Sequence, residues 1–403
     1  MLKGKCVVVG VCGGIAAYKV AHVVSALKKL GADVHVIMTD AAQKFVGKLT
    51  FQTLSQNLVV CDMFDEPKRW NVEHIELATQ ADLLLVAPAS ANTIAKMANG
   101  IADNMLTSVF LATKAKILIA PAMNKNMYEN PATVENIKKL SERGCHFVDA
   151  EEGFLACATT GKGRLAEPEK IVEAVIDEIA YKKDMSSLKV LVSAGATREA
   201  IDPVRYITNH SSGKMGYAIA RAAKRRGADV VLVSGQTNLP DIEGVETIKV
   251  LSAKQMHDEI ISRSADFDIT IKAAAVSDYA PACYSDNKIK KGASDMEIAL
   301  TKNPDILSEL GKKKSASQVI VGFCMETQEL LKNAKEKLER KNCDFIVANN
   351  LFDEGAGFGT DTNTVTILDD TGAQMSPENM SKDELAHIIL DMAKKRYDEK
   401  NKK

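Results

Sequence analysis

Three stretches of this 403-residue chain gather residue types that can do chemistry. Residues 194 to 216, Ala-Gly-Ala-Thr-Arg-Glu-Ala-Ile-Asp-Pro-Val-Arg-Tyr-Ile-Thr-Asn-His-Ser-Ser-Gly-Lys-Met-Gly, mix glycines, hydroxyls, amides and charges. A strand-to-helix connection in an open sheet normally takes about 2–6 residues, so a longer one with little apolar periodicity is expected to be a functional loop. Further on, Asn287-Lys288-Ile289-Lys290-Lys291 follows the acid-bearing strand exit Val276-Ser277-Asp278-Tyr279. A run of lysines is ordinarily a solvated face; three crowded beside a strand end also suit a triphosphate. In the first half, Ala156-Cys157-Ala158-Thr159-Thr160-Gly161-Lys162-Gly163-Arg164 is too rich in glycine and polar residues for a core element. Structural cysteines prefer burial, which makes Cys157 a candidate for chemistry. His74, in Asn71-Val72-Glu73-His74-Ile75-Glu76-Leu77, begins a helix-like segment; a lone histidine there is more often solvated than catalytic. Asn124, in Pro121-Ala122-Met123-Asn124-Lys125-Asn126-Met127-Tyr128, directly follows a strand-like run and by itself reads as a turn asparagine.

These residues need a frame, and the hydrophobic pattern supplies one. Lys5–Gly10 is a short apolar β run, and Gly13-Gly14 opens a helix with apolar positions at Ile15, Val20, Val23, Val24 and Leu27. Backbone amides at such a helix start suit a phosphate, although glycine turns also serve plain strand–helix packing. A second strand ends at Thr39-Asp40. Ala81–Pro88 is continuously apolar, as expected of a parallel strand covered on both faces. Its exit, Ala89-Ser90-Ala91-Asn92-Thr93, suits close approach by a ligand and equally suits helix capping. Lys-Leu-Gly-Ala-Asp-Val-His-Val-Ile-Met-Thr at 29–39 resembles Arg-Arg-Gly-Ala-Asp-Val-Val-Leu-Val-Ser-Gly at 225–235, so each half opens with a β-α-β unit. In the second half the long loop stands where the first has its short glycine turn. A helix is expected over Pro168–Tyr181, followed by the polar join Lys182-Lys183-Asp184-Met185-Ser186-Ser187. The expected fold class is α/β, with two doubly wound, mainly parallel-sheet domains spanning 1–184 and 188–403.

Composition bounds the function. Lys plus Arg number 52 against 53 Asp plus Glu, so no bulk field favours nucleic acid or an anionic membrane, and any anionic ligand must be held locally. No apolar run approaches the roughly 20 residues that span a bilayer. Met1 to Gly14 leads into a patterned helix without a signal cleavage site, which predicts a cytoplasmic protein. The eight cysteines are scattered with no Cys-x-x-Cys pair, as expected of reduced thiols instead of a disulfide or zinc framework.

The segment Asp202-Pro203-Val204-Arg205-Tyr206-Ile207-Thr208-Asn209-His210-Ser211-Ser212-Gly213-Lys214-Met215-Gly216 resembles the signature of CTP-dependent phosphopantothenate-cysteine ligases. The first half resembles flavin-dependent phosphopantothenoylcysteine decarboxylases, whose Pro-x-Met-Asn-x-x-Met segment matches residues 121–127. The chain as a whole is thus similar to the bifunctional bacterial family of coenzyme A biosynthesis. That resemblance implies a flavodoxin-like first domain holding FMN through Gly13, Gly14, Thr39, Ser90, Asn92 and Thr93. Asn124 would grip the substrate carboxylate, Cys157 would donate a proton from a substrate flap, and His74 would assist the proton movements. The chemistry is coherent: loss of CO2 from a cysteinyl carboxylate leaves a carbanion without an electron sink, and a flavin that takes a hydride from the carbon bearing the thiol creates one as a thioaldehyde.

For the Rossmann-like second domain the resemblance implies CTP contacts at Ala273, Ala274, Asp278, Lys288, Asn303, Pro304, Asp305, Ile306, Phe323, Lys337 and Lys341. By the same resemblance Lys288 would be needed to form the acyl nucleotide and Asn209 to turn it over. An amine cannot attack a carboxylate at neutral pH, so CTP would first make an acyl cytidylate, releasing pyrophosphate, and the amino group of cysteine would then displace CMP. Mg2+ is implied by the triphosphate, with no ligand set legible. The family pattern also implies decarboxylase trimers and ligase dimers. The sequence departs from relatives at Cys12, Ala196, Lys272 and Ala158-Thr159-Thr160. Two rival readings remain open on the sequence. A dinucleotide oxidoreductase would want a Gly-x-Gly-x-x-Gly turn that neither half has, and a flavin-binding regulatory subunit would need neither Cys157 nor the lysines.

Overall fold

The computed structural model describes residues 1–64, 72–154, 160–291, 296–326, 329–350 and 359–402, which fall into two units, Met1–Lys182 and Lys183–Lys403. The first unit runs β1 (Cys6–Val11), α1 (Ala17–Lys29), β2 (Asp33–Met38), α2 (Asp40–Gln43), α3 (Lys48–Ser55), α4 (Glu73–Gln80), β3 (Leu83–Ala89), α5 (Ala91–Asn99), α6 (Met105–Ala112), β4 (Lys116–Pro121), α7 (Lys125–Tyr128), α8 (Pro131–Glu142), β5 (His146–Phe147), β6 (Glu151–Phe154), β7 (Thr160–Arg164) and α9 (Pro168–Ile179). Five parallel strands form one sheet in the order β2-β1-β3-β4-β5. Along β1, Val7 and Val9 enter the core under α1 and α9, while Val8 enters the core under α5 and α6. Each such aliphatic side chain contributes about 1.5–3 kcal/mol when buried. A one-residue slip would exchange the two faces, so the register is fixed. All seven residues of β3 are buried, as its unbroken apolar run predicts.

In the second unit the order is β8 (Lys189–Ala194), β9 (Arg198–Ala200), β10 (Tyr206–Thr208), α10 (Lys214–Arg225), β11 (Asp229–Ser234), β12 (Glu246–Lys249), α11 (Ala253–Arg263), β13 (Ile269–Lys272), β14 (Tyr279–Pro281), β15 (Leu300–Lys302), α12 (Ile306–Lys313), β16 (Val319–Glu326), α13 (Leu330–Lys341), β17 (Phe345–Asn350), β18 (Thr362–Asn363), β19 (Val365–Asp369), β20 (Gln374–Met375), β21 (Met380–Ser381) and α14 (Lys382–Lys400). Its main sheet is β12-β11-β8-β13-β16-β17-β19-β20, parallel as far as β17 and antiparallel beyond. Both units are therefore doubly wound α/β sheets. The first order, counted within its unit, is 2-1-3-4-5; the parallel part of the second is 3-2-1-4-5-6. In each, a switch point lies beside the unit's first strand, where ligands enter such sheets at the carboxyl ends.

Two stretches differ from expectation. The 194–216 segment contains a hairpin, with Tyr206 opposite Ala200 and the Arg198 guanidinium 4.5 Å from the Tyr206 ring. Three residues per arm are too few to show period-2 alternation in the sequence. The polar join holds a core residue: Met185 is fully buried in the second unit, and Asp184 beside it pairs with Arg226 at 2.6 and 2.9 Å.

Candidate functional site

At the switch point of the first unit, the turn after β1 and the turn after β3 lie side by side, with Cys12 N donating to Pro88 O at 3.3 Å. Two clefts meet there, both lined by Gly13, Ser90, Ala91 and Met127. The larger, about 610 Å³, gathers Thr39, Asn92, Thr93, Lys96 and Asn104 together with Met38, Met63, Phe64 and Leu106. The second, about 460 Å³, holds Gly14, Ile15, Tyr18, Asn124 and Arg164. Thr39 and Ser90 cap helices as well: Thr39 Oγ1 accepts from Ala42 N and Ser90 Oγ from Thr93 N, each at 3.3 Å. The first cleft gathers hydroxyl and amide donors and the second exposes apolar surface, with Ile15 59% and Tyr18 55% exposed; adjoining clefts of these two kinds fit a group that joins a phosphate to a flat ring. Cys12 lines neither cleft. Its thiol is buried against Thr93 and Ser90, and burial pushes its pKa up, so it packs the turn from behind.

Asn124 caps α7, its Oδ1 accepting from Asn126 N at 2.8 Å. The turn is pinned by β7, where Met123 N donates to Gly163 O at 2.9 Å. Gly163 has φ +146° and a Cβ there would land on the Met123 carbonyl oxygen, so the close approach requires glycine. Cys157 lies outside the described residues; β6 and β7, which precede and follow it in the chain, pair antiparallel. His74, the second residue of α4, is half-buried and lines neither cleft.

In the second unit the switch point lies between β8 and β13. A cavity of about 160 Å³ is lined there by Ser211–Gly216, Ala273–Ala275, Phe323, Asn349, Asn363 and Lys382. Of the expected nucleotide contacts, Ala273, Ala274 and Phe323 line it. Three polar residues that the sequence reading did not select join them. Asn349 Nδ2 donates to Asn363 Oδ1 at 3.3 Å, whereas the buried Asn349 Oδ1 has no hydrogen-bond partner among the described residues. Lys382 is a buried cation whose pKa is lowered by burial and then by Lys214. In the sequence it shows only as the first residue after the N-cap Ser381, in a capping box completed by Glu384. An orphaned acceptor and a desolvated ammonium beside the start of α10 fit a polar, anionic ligand.

Toward α12 and α13 lies a second group. Asp305 caps α12 through Ser308 N at 3.0 Å and pairs with Lys341; Lys337 Nζ donates to Phe323 O at 3.4 Å. Lys272, at the end of β13, donates to Ala274 O at 3.2 Å. Burial, reinforced by the charge of Lys337, lowers its pKa to about 8 against the opposing pull of Asp305 and Asp278. Asn303 bridges to the β13 exit, Nδ2 to Ser277 O at 2.8 Å and N to Asp278 O at 2.9 Å. Asn209 Nδ2 donates to Val276 O at 3.2 Å, which places it at that same exit. Pro304 leads into the cap, and Ile306 is a core residue at 2% exposure. Lys288 is exposed and lines no cavity described here. Its loop is tied down one residue later: Ile289 N donates to Asp202 Oδ2 at 3.1 Å and Arg205 Nη2 to Ile289 O at 2.8 Å. Asp202 also accepts from the Val204 and Arg205 amides at 2.8 Å. The Arg205 guanidinium holds this carboxyl well below the usual range. The cluster Cys6, Asp33 and His35 sits at the start of β1 and β2, at the opposite strand ends from the clefts. The Cys6 thiol is pushed up to about 12 by burial, Asp33 and Asp82, which disfavours the thiolate a metal would need.

Comparison with known proteins gives two family matches: Flavoprotein over residues 1–180 and DNA/pantothenate metabolism flavoprotein C-terminal domain over residues 185–397. The chain is 47% identical over 393 residues to the coenzyme A biosynthesis bifunctional protein CoaBC of Bacillus subtilis (strain 168), covering 97% of each. It is 43% identical over 392 residues to the protein of that name from Borreliella burgdorferi, covering 97% of this chain and 99% of the other. Among solved structures, the C-terminal domain of such a protein is 38% identical with a TM-score of 0.45, over 52% of this chain and 96% of that one.

Proposed function

This chain belongs to the family of coenzyme A biosynthesis bifunctional proteins, and from that premise we propose which residues carry its two steps. It is a bifunctional enzyme that ligates cysteine to 4'-phosphopantothenate and decarboxylates the product to 4'-phosphopantetheine. We assign ligation to the unit from Lys183 and decarboxylation to the unit ending at Lys182, with FMN as the flavin, CTP as the activating nucleotide and Mg2+ as its counter-ion.

In the ligase, the amides at the start of α10 and the Lys382 ammonium would hold the anionic part of CTP, with Asn349 offering its unpaired acceptor to a donor on the ligand. Lys337, Lys341 and Asp305 frame the far side. Lys288, presented by the Asp202–Arg205 clamp, would stabilise charge as the carboxylate attacks the nucleotide. Asn209, fixed against Val276 O, would orient the acyl cytidylate for the amine of cysteine. Mg2+ would neutralise triphosphate charge.

In the decarboxylase, bound FMN would supply a reversible hydride acceptor, giving the cysteinyl carboxylate the electron sink it lacks and returning the hydride afterwards, so that no net redox change remains. Gly13, Gly14, Thr39, Ser90, Asn92 and Thr93 would hold it. Asn124 would bind the departing carboxylate, Cys157 would return a proton to the enethiol, and His74 would assist proton movement. The observation that supports these assignments is that each unit has a cavity at a switch point lined by part of the expected set: Gly13, Gly14, Thr39, Ser90, Asn92, Thr93 and Asn124 in the first, and Ala273, Ala274 and Phe323 in the second. Among the described residues no helix is long and apolar enough to cross a membrane; we place the enzyme in the cytoplasm, assembled from decarboxylase trimers and ligase dimers.

Mass spectrometry of the purified protein with 4'-phosphopantothenate, cysteine, Mg2+ and either CTP or ATP tests the whole reading. CMP and 4'-phosphopantetheine are expected with CTP. Cys157→Ser should retain flavin absorbance and stop 4'-phosphopantetheine formation; undiminished product refutes the role of Cys157.

A further inference from the structure

The cleft that contains Asn124 is mainly apolar, with Ile15, Tyr18, Met123 and Leu165 among its walls. Only two of the described residues lining it are cations, Lys19 on α1 and Arg164 at the end of β7. Both converge on one carboxylate. Lys19 Nζ donates to Glu167 Oε2 at 3.2 Å and to Oε1 at 3.3 Å, and Arg164 Nη2 pairs with Oε1. The Lys19 side chain retains 15% exposure and that of Arg164 40%. Two cations on one carboxylate leave a net positive charge at an apolar cleft. Glu167 cannot neutralise both, and the guanidinium keeps a fork of donors suited to a planar or tetrahedral oxyanion.

We propose that Lys19 and Arg164 bind the phosphate monoester of the decarboxylase substrate and thereby select phosphorylated over dephosphorylated pantothenoylcysteine. This inference rests on the decarboxylase reading above. That substrate is anionic at both ends, with a carboxylate assigned to Asn124 and a phosphate that otherwise has no cation in the cleft. The flavin also carries a phosphate monoester; of the residues expected to hold it, Thr39, Asn92 and Thr93 line the other cleft together with Lys96, Gly13 and Ser90 line both, and Gly14 lines this one, so flavin retention is read beside substrate preference to separate the two phosphates. Glu167, at the N-cap of α9, holds the two cations in place until the dianion arrives, and their spare donors then turn to it.

The test uses the flavin-loaded full-length protein and compares kcat/KM for 4'-phosphopantothenoylcysteine and pantothenoylcysteine. In Lys19→Met the preference for the phosphorylated substrate should fall roughly 10- to 100-fold, the size of one lost charge-assisted hydrogen bond. The loss should fall on KM more than on kcat, and Lys19→Arg should restore most of it. Arg164→Met should lower the preference by the same order, with flavin absorbance per chain retained in both. Glu167→Gln keeps both cations and should keep the preference. An unchanged ratio in Lys19→Met and Arg164→Met overturns the inference. So does equal slowing on both substrates, which makes the pair a structural tether, and so does loss of flavin, which gives the cations to the flavin phosphate. If the unmodified protein turns over neither substrate, the decarboxylase reading itself falls and this inference falls with it.

Discussion

Replacing Lys272 with Met should stabilise the second unit while weakening its hold on the nucleotide. Lys272 ends β13 with its ammonium buried among Lys337, Lys341, Asp305 and Asp278, and its pKa is lowered from 10.5 to about 8, chiefly by burial. Each tenfold change in proton affinity is about 1.36 kcal/mol, so keeping the group charged in the fold at pH 7 costs about 3 kcal/mol. Met has similar length and no charge. It forfeits the hydrogen bond to Ala274 O at 3.2 Å, worth about 1 kcal/mol, leaving a net gain of about 2 kcal/mol. The sign with pH follows from proton counts. Below about 8 both states are protonated and the penalty is complete. Between about 8 and 10.5 the folded chain has lost a proton that the unfolded chain keeps, so wild-type stability climbs with pH; above 10.5 the penalty is gone. Hydrogen exchange of the β8, β13 and β16 amides, followed by mass spectrometry and corrected for intrinsic rates, isolates this unit. The variant should exchange more slowly than wild type at pH 7, with the gap narrowing toward pH 10. Its KM for CTP should rise roughly tenfold through loss of a cation. Exchange at pH 7 as fast as wild type, or a gap that does not change with pH, refutes the reasoning.

Asp202→Asn should loosen the loop that carries Lys288, because it weakens the acceptor shared by Ile289 N and the Arg205 guanidinium; the ligase kcat should fall roughly tenfold or more, read from pyrophosphate release. The Asp202 carboxyl is held below the usual range by Arg205, so its stabilisation is complete above the ordinary carboxylate pKa of about 4 and is lost as pH falls toward the folded value. Acid unfolding of Asp202→Asn should accordingly show a flatter limb. Gly216→Ala should destabilise the second unit by about 1–3 kcal/mol, because the new Cβ would stand 2.5 Å from Ala194 Cβ and 2.8 Å from Ser193 O and force α10 away from β8. Thermal unfolding with and without CTP measures the loss and its effect on binding.

The frame was legible where one physical signal dominated. Both opening β-α-β units could be read because unbroken apolar strands and helical spacing coincide with glycine turns, and β3 could be read from its continuous apolar run. The hairpin at 198–208 could not, since its arms are three residues long and its stability comes from Asp202, Arg205 and the Arg198–Tyr206 contact. Met185 was hidden by its polar neighbours. Among the residues that line the clefts, local motifs pointed to Gly13, Ser90 and Asn124, which lie at strand ends. Asn349, Asn363 and Lys382 come from β17, β18 and the start of α14, far along the chain from the 211–216 loop they face. Only the sheet order unites them, and no spacing rule encodes it. Lys19 and Arg164 were invisible for the same reason, being 145 positions apart.

The two strand orders also bear on ancestry. Removing the edge strand β12 from 3-2-1-4-5-6 leaves 2-1-3-4-5, the order of the first unit, so the second parallel sheet is the first with one margin widened. A strand added at a margin changes no neighbour of the innermost strands. Lineages can therefore enlarge such a sheet, or hang an antiparallel pair such as β19 and β20 on its other margin, without relocating the crevice where small molecules meet it. Two unlike reactions in one polypeptide are thus served by different loops over nearly the same strand plan.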